Sequence, residues 1–395
     1  MPSAPLDWLV VGGGVHGTHL SLALTARLGW PRDRVRVLDP HPEPLALWSR
    51  QTANTGMAFM RSSLVHHLDL DPYGLKRFAT TREAETVARF TPPYSRPSYR
   101  LFQAHTRHVV AEHGLDRLRV PGRALGLRRA ATGWRVETER GALDARRVAI
   151  AVGNTERLSW PEWARRLQEA GGRVDHLLDP SFDRTAVPEG QRVAVVGGGI
   201  SAAQVATTLA QRGPTVLIAR HAPRVHQFDS DPGWLGPMYM EDFLDDPSLV
   251  SRRHAIDGAR HRGSVPPDVL HRLRQAVQWH GLWHVTAEAA QVEVGPGGAA
   301  RLALHQQNQA PTAVTVDRVV LATGFEPARP GGGWIDDAIE AEGLPVAPCG
   351  FPCLACSLEW APGLHAAGPL AELELGPTAR NIAGARAAAA RLPSA

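Results

Sequence analysis

The sequence is poor in three features that would point to particular kinds of protein. Its three cysteines, Cys349, Cys353 and Cys356, all lie late in the chain and cannot form the disulfide framework of a small secreted protein. Lysine occurs once, at Lys76, and the many arginines are scattered without basic runs interleaved with aromatic residues, so no nucleic-acid partner is expected. No apolar run approaches the roughly 18 residues that span a membrane. These absences favour a cytoplasmic globular protein, with no membrane as partner.

A strand–turn–helix pattern opens the chain and organises its first half. Four apolar residues, Trp8–Val11, run directly into a turn with glycines at Gly12, Gly14 and Gly17, and an apolar helical pattern continues from Thr18 to Leu28. The first glycine makes the tight turn, the second admits a pyrophosphate to the backbone N–H groups, and the third lets helix and strand pack closely. The pattern predicts a dinucleotide-binding unit.

An acidic residue supports this interpretation of the glycine turn. The next predicted strand, Val35–Leu38, ends at Asp39, about 20 residues beyond the glycines, where a carboxylate can bind the ribose hydroxyls of an adenosine. An ordinary strand-to-helix turn would not explain an acid at this place.

The same organisation repeats in the second half of the chain. The predicted strand Arg192–Val196 runs into Gly197-x-Gly199-x-Ser201-Ala202, a helix is predicted over Ala203–Gln211, and the strand Thr215–Ala219 follows. Each half continues through a meander of short strands to a final strand before a glycine, Gly153 in the first half and Gly324 in the second. This repeat predicts two dinucleotide sites in one chain of 395 residues.

The two sites differ in the charge at the end of the second strand. Arg220 stands where the first site has Asp39, and a guanidinium there suits the 2′-phosphate that a carboxylate would repel. We therefore expect FAD at the first site and NADPH at the second.

Several stretches resemble the flavoprotein monooxygenases with two dinucleotide-binding domains, and within them the lysine and ornithine N-monooxygenases. Trp48, the pair Gly56-Met57 and the run Met60-Arg61-Ser62-Ser63-Leu64 are similar to the family's segment beside the flavin. Leu321–Phe325, with Thr323 and Gly324, resembles the strand that returns the chain to the FAD domain, and Asp229–Pro232 resembles a stretch of its NADPH domain.

The resemblance implies roles for some residues and departs from the family at others. Met57, Met60 and Arg61 are expected beside the flavin. Met60, Arg61 and His66 are the catalytic candidates, and His66 is expected to contact substrate at the place of the lysine that holds an amino-acid carboxylate in the family. Leu235 stands at the place of the family's substrate-binding asparagine. Because both substrate-holding residues have changed type, free ornithine and lysine are not the expected substrates.

The C-terminal segment indicates a further flavin contact. A last strand ending at Gly368 precedes Gly376-Pro377-Thr378, which opens a predicted helix to about Leu392. In two-site flavoproteins of this kind the corresponding helix directs its dipole at the flavin, which implies cofactor contacts near Gly368, Pro377 and Thr378.

Other interpretations of the sequence remain open. The Cys353-x-x-Cys356 pair permits a thiol–disulfide oxidoreductase or, with His365, part of a zinc site; free thiols in a proline-rich loop are preferred, and no metal is expected. The Baeyer–Villiger fingerprint is incomplete, which leaves His176 a structural histidine. An NADPH-dependent reductase and a nonenzymatic flavin-binding redox sensor are the rival functions.

The sequence thus predicts an α/β fold with two Rossmann-like domains, arranged as in glutathione reductase. The NADPH-binding domain, residues 189–321, is expected to be inserted in an FAD-binding domain of residues 1–188 and 322–395. The resemblance implies an NADPH- and FAD-dependent monooxygenase that transfers oxygen from a flavin hydroperoxide to an amine nitrogen. A small-molecule substrate and dioxygen are the expected partners, and the oligomeric state is left open.

Overall fold

The structure is a computed structural model that describes residues 5–154, 157–306 and 312–395. Within these ranges the strands are β1 (Leu6–Val11), β2 (Val35–Asp39), β3 (Phe90–Thr91), β4 (Arg96–Pro97), β5 (Arg119–Pro121), β6 (Ala124–Ala130), β7 (Gly133–Thr138), β8 (Gly141–Ile150), β9 (Val174–His176), β10 (Val193–Val196), β11 (Thr215–Ala219), β12 (Arg224–Val225), β13 (Ser264–Val265), β14 (Trp283–Thr286), β15 (Glu288–Val294), β16 (Ala300–His305), β17 (Thr312–Val316), β18 (Arg318–Leu321), β19 (Glu359–Ala361) and β20 (Leu364–Ala366).

The α-helices of the same ranges lie between these strands or after the last of them. They are α1 (Val15–Ala26), α2 (Ala46–Thr55), α3 (Gly74–Phe78), α4 (Tyr99–Glu112), α5 (Glu162–Glu169), α6 (Ile200–Ala210), α7 (Pro237–Asp245), α8 (Leu249–Ala259), α9 (Pro267–Trp279), α10 (Gly333–Glu342), α11 (Glu372–Leu375) and α12 (Ile382–Ala389). None of them combines the length and apolar content that crossing a membrane would require.

The first sheet is built around β1. It pairs in parallel with β2 and β8, β5 adds in parallel to β2, and β20 adds in parallel to β8. The antiparallel hairpins β6–β7–β8 and β19–β20 complete eight strands. Trp8, Leu9 and Val10 are fully buried, as the continuous apolar run of β1 requires in a strand covered on both faces. Parallel pairing brings the carboxyl ends of β1, β2, β8 and β20 to one edge.

The second sheet is fully parallel, in the order β14-β11-β10-β18-β9. The three-stranded antiparallel sheet β15–β16–β17 leads into β18 and accounts for the predicted meander. Strand β9 lies before residue 189 and yet pairs with β18, and α5 packs on the same core. The predicted domain limits stay a prediction, and this pairing favours a first boundary before α5.

One helix was not predicted from the sequence, and another differs from its prediction. The segment after β2 contains α2, ten residues from Ala46 to Thr55. The single C-terminal helix is broken: a 3₁₀ turn covers Pro377–Arg380, and Asn381 is extended (ψ 171°) before α12 begins at Ile382. The break matters because it lies beside the main cavity.

Candidate active site

A cavity of about 910 Å³ follows the carboxyl edge of the first sheet. The glycine turn after β1 forms its middle, and Asp39, at the end of β2, lines one end together with His41 and Arg123. Residues of α2, the segment after it and the entry to α12 line the other end. Since the adenosine of a dinucleotide lies against the end of the second strand, an FAD in this cavity would place its flavin at the α2–α12 end.

The glycine turn has the shape of a pyrophosphate cradle. Gly12 has φ +107°, and a Cβ atom there would lie 2.7 Å from the Ala151 carbonyl oxygen. A Cβ atom on Gly17 would lie 1.7 Å from the Gly12 carbonyl oxygen, which is why helix and strand can pack so closely. A Cβ atom on Gly14 would have no described atom within 4 Å, so this position faces the open cradle. No described side chain caps α1, which leaves its first N–H groups available to phosphate oxygens.

Asp39 lines the cavity, and its carboxylate also accepts hydrogen bonds from other groups of the chain. It accepts hydrogen bonds from the backbone N–H groups of Gly13 at 2.5 Å and His41 at 2.9 Å, and from Arg119 Nη2 at 3.3 Å. Its predicted contact with a ribose therefore stays a prediction. Sequence reasoning missed Arg119, because a guanidinium at the start of β5 has no local motif that marks it.

The residues expected beside the flavin gather at the other end. Trp48, Met57, Met60 and Arg61 all line the cavity there. The Trp48 ring packs against Phe102, with ring centroids 5.2 Å apart, which fixes the wall that this end of α2 presents. The structure thus brings together four residues that are distant from the glycine turn in sequence, while their individual roles stay predictions.

Arg61 connects this wall to the region of the second sheet. Its Nε donates to the Gln227 carbonyl at 2.9 Å, and its Nη2 donates to the His226 carbonyl at 3.0 Å and to Ser264 Oγ at 2.8 Å. Burial lowers the pKa of the guanidinium, and the charge of Asp229 acts against that shift. The pKa of an arginine lies so far above neutral pH that its side chain stays charged despite this shift. Arg61 therefore supplies a fixed positive charge at the junction of the two regions.

The C-terminal segment closes the flavin end of the cavity. Gly368 has φ +65°, and a Cβ atom there would lie 3.5 Å from the His16 ring. Pro377 and Thr378 are buried in the 3₁₀ turn and do not line the main cavity. The residues of the C-terminal segment that do line it are Pro369, Arg380, Asn381 and Ile382. The N-terminus of α12 therefore begins at the cavity wall, several residues later than the sequence suggested.

His66 lies outside the main cavity and lines a second one of about 470 Å³. Leu235 lines the same cavity. The rest of its wall is mainly apolar, with two arginines, and its described lining residues are Val65, Pro72, Trp234, Gly236, Met240, Leu244, Leu375, Thr378, Ala383, Arg386, Ala387 and Arg391. Burial lowers the pKa of His66, and the charge of Arg386 lowers it further, so its imidazole is neutral near pH 7.

The second glycine turn repeats the geometry of the first. Gly197 has φ +154°, and a Cβ atom there would lie 2.4 Å from the Ala322 carbonyl oxygen. Gly199 precedes α6, whose first turn contains Ser201. Arg220 follows β11 directly and is exposed. The structure therefore places these residues at the carboxyl edge of the second sheet, where a nucleotide would bind.

Thr323 and Gly324 follow β18 at that edge. The Thr323 hydroxyl donates to the Ser159 carbonyl and lies 3.3 Å from His176 Nε2. Burial lowers the pKa of His176 to about 4. Neither Thr323 nor Gly324 lines the main cavity, whereas the next residue, Phe325, does. Their predicted contact with cofactor stays a prediction.

The three cysteines lie apart from both cavities. Cys349, Cys353 and Cys356 are all free thiols. Burial raises the pKa of Cys353, and the charge of Cys349 adds to the rise, which disfavours a reactive thiolate. Within residues 5–154, 157–306 and 312–395, no group of three His, Cys, Asp or Glu side chains could hold a metal ion.

Two family models match the chain and overlap in sequence. A model described as FAD-NAD(P)-binding matches residues 9–155. A model described as L-lysine 6-monooxygenase/L-ornithine 5-monooxygenase matches residues 127–327, just over half of the chain. No curated protein matches the sequence.

Solved structures with the same fold cover nearly the whole chain at low identity. Ornithine hydroxylase from Pseudomonas aeruginosa has a TM-score of 0.74 and 17% identity, and 98% of each chain is covered. Ornithine N-hydroxylase from Kutzneria sp. 744 has a TM-score of 0.71 and 16% identity, again with 98% of each chain covered. The cadaverine monooxygenase of desferrioxamine biosynthesis from Erwinia amylovora has a TM-score of 0.73 and 14% identity, with 98% of this chain and 94% of that chain covered.

These similarities confirm the predicted two-site α/β flavoprotein fold and its two cofactors, FAD and NADPH. The glycine turn with an open cradle at Gly14 fits FAD on its own geometry. The chain belongs to the L-lysine 6-monooxygenase/L-ornithine 5-monooxygenase family and is an FAD- and NADPH-dependent N-hydroxylating monooxygenase.

Proposed function

We propose that this enzyme hydroxylates the nitrogen of an amine with an apolar body, which it holds in the second cavity, and that free ornithine and lysine are poor substrates. One observation carries the proposal: His66 and Leu235, the two positions that depart from the family's carboxylate-binding residues, line the same cavity. A change at both positions alters one binding site.

The second cavity lies next to the flavin end of the main cavity. Three short segments pass from one cavity wall to the other, namely residues 61–66, 228–236 and 378–387. A substrate held at His66 and Leu235 can therefore extend its amine toward the flavin end, past the turn that carries Arg380 and Asn381.

The two arginines of the second cavity have partners within the chain. Arg386 donates to the carbonyl groups of Leu70 and Asp69, and its buried Nε has no partner among the described residues. Arg391 pairs with Glu374 at 3.8 Å and donates to the Cys356 carbonyl at 3.3 Å. With a neutral His66, one unused donor makes the described wall a poor site for a carboxylate, because an ill-paired buried anion costs several kcal/mol.

The flavin end of the main cavity suits the chemistry of an amine. Bound FAD, reduced by NADPH, supplies the activated oxygen from dioxygen, the proposed co-substrate. Burial there disfavours an ammonium ion relative to the free amine, and only the free amine has the lone pair that accepts oxygen. In the second cavity, the neutral imidazole of His66 contacts the body of the substrate and orients it.

The test measures hydroxylated product, with NADPH and dioxygen supplied, for unbranched monoamines, cadaverine, ornithine and lysine. We expect kcat/KM for the best apolar amine to exceed that for ornithine at least tenfold. The double variant His66→Lys/Leu235→Asn should raise kcat/KM for ornithine about tenfold, since a charged hydrogen bond contributes about 1.5–3 kcal/mol.

The matched control is His66→Lys/Leu244→Asn, which adds an amide elsewhere on the same cavity wall. Efficient hydroxylation of ornithine or lysine by the unaltered enzyme contradicts the proposal. An equal gain in the control variant would mean that Leu235 is not the position that selects the substrate. A cytoplasmic location and the separate roles of Met60 and Arg61 stay predictions.

A further inference from the structure

Arg380 is the charged residue that the broken C-terminal helix brings to the flavin end of the main cavity. It closes the 3₁₀ turn Pro377–Arg380, and with Asn381 and Ile382 it lines the cavity. Its side chain is 34% exposed, on the cavity side of a segment whose preceding residues are buried. The sequence pattern did not mark it, because a continuous helix gives this arginine no special place.

Arg380 forms an ion pair with a buried carboxylate. Glu372 is fully buried and accepts from Arg380 Nη2 at 2.8 Å and Arg260 Nη2 at 2.5 Å, and its other oxygen lies 2.6 Å from Arg253 Nη1. Arg253 and Arg260 belong to α8 and its C-terminal end, so the cluster joins that helix to the C-terminal segment. Burial raises the pKa of Glu372 and the three guanidinium groups lower it by more, which keeps the carboxylate charged.

The cluster has an excess of positive charge. Three guanidinium groups share one carboxylate, and the next acid, Asp257, lies 3.9 Å from Arg253 and also pairs with Arg262. At the same end of the cavity, Asp229 interacts with Arg61 and accepts a hydrogen bond from Asn381 at 3.2 Å. Arg380 is therefore a cavity-lining cation that shares its one carboxylate partner with two further guanidinium groups.

We propose that Arg380 is a cofactor-binding residue that stabilises the negative charge of reduced FAD. Reduction by NADPH adds electrons to the flavin, and a fixed cation near the ring favours the reduced form over the oxidised form. The N-terminus of α12 beside Arg380 acts in the same direction. The inference depends on FAD binding, not on the substrate proposed above.

The test compares the affinity for oxidised and reduced FAD in the absence of substrate, by redox titration of the full-length holoenzyme. Arg380→Gln and Arg380→Met remove the charge, and Glu372 keeps two of its three arginine partners, so the fold should survive. Each variant should weaken the binding of reduced FAD at least tenfold more than that of oxidised FAD. For a two-electron couple this corresponds to a midpoint potential about 30 mV lower.

Two further variants separate charge at this site from a general effect of losing an arginine. Arg380→Lys, which keeps the charge, should stay within about threefold of the unaltered enzyme. Arg135→Gln is the matched control: Arg135 is 39% exposed, pairs with one carboxylate, Asp144, and does not line the cavity. A change of less than threefold in both charge-removing variants, or an equal shift in the control, overturns the proposal.

Discussion

At the scale of single residues, Arg220 is the side chain that we expect to choose between the two nicotinamide dinucleotides. It is exposed directly after β11, and the His221 ring beside it lies 3.0 Å from the Cβ position of Gly198 in the second glycine turn. A 2′-phosphate bound at this edge would therefore meet the guanidinium, and losing that contact costs about 1.5–3 kcal/mol.

Arg220→Ala should raise the KM for NADPH at least tenfold and leave the KM for NADH nearly unchanged, as measured by steady-state flavin reduction with each nucleotide. Arg224→Ala is a suitable control, since Arg224 is also exposed nearby and donates to the Arg262 carbonyl. Equal losses with both nucleotides would show that Arg220 contributes to nucleotide binding without contacting the 2′-phosphate of NADPH.

Individual residues could be predicted where the backbone conformation demanded them. Gly12 and Gly17 are in that class, because a side chain at either position would collide with the neighbouring backbone. Arg119 and Arg380 could not be predicted, since each owes its place to a partner far away in sequence or outside any motif, Asp39 for one and Glu372 for the other. Local pattern contains no information on such pairs.

At the scale of elements, the first glycine turn must leave room for the cofactor at Gly14 and must let helix and strand pack closely at Gly17. Substitutions can separate these two requirements. A Cβ atom on Gly14 enters the open cradle, whereas one on Gly17 lies 1.7 Å from the Gly12 carbonyl oxygen. Gly14→Val should therefore fold and purify without FAD. Gly17→Ala should lower the melting temperature strongly or prevent folding, because strand and helix would have to separate.

Circular dichroism and the ratio of flavin to protein absorbance measure the two effects independently. Gly333→Ala provides a control for the general effect of replacing a glycine, since Gly333, like Gly14 and Gly17, has no positive φ and a Cβ atom there meets no described atom within 4 Å. Full FAD occupancy in Gly14→Val would mean that the pyrophosphate does not lie at this turn.

The broken C-terminal helix shows where element prediction reached its limit. The alanine-rich stretch after Asn381 favours a helix, and α12 forms there. The preceding Pro377–Arg380 is held in a separate turn, since Arg380 pairs with Glu372 and Asn381 donates to Asp229. Helix propensity indicated that a helix exists, and tertiary contacts determined where it begins.

At the scale of the whole molecule, the internal repeat predicted two dinucleotide-binding units, and two sheets are present in which parallel strands carry the glycine turns. The contacts between them were beyond prediction. Arg61 reaches the backbone of His226 and Gln227, and Glu372 gathers Arg253 and Arg260, which lie more than a hundred residues earlier in the chain. Repeated motifs specify each sheet separately, but side chains outside the motifs fix how the parts meet.

Buried neutral histidines give the whole molecule an acid-sensitive stability. Burial is the main cause that lowers the pKa of His16, His19 and His176 to about 4, and of His67 to about 3. Their pKa in the unfolded chain is about 6.5, so below that pH the unfolded state binds more protons. Their contribution to stability is complete above pH 6.5 and is lost as the pH falls toward 4.

We therefore expect the free energy of unfolding, measured by urea titration with saturating FAD, to fall steadily from pH 7 to pH 5. Each histidine that remains neutral in the folded state contributes a slope of up to about 1.4 kcal/mol per pH unit. His19→Gln removes one titrating ring and should therefore lower the slope by the contribution of about one proton. The variant should still fold, since glutamine can donate to the Leu68 carbonyl, the partner of His19 Nδ1 at 2.7 Å. The exposed His108→Gln is the control. Stability that does not change between pH 7 and pH 5 would mean that these rings gain protons without unfolding the chain.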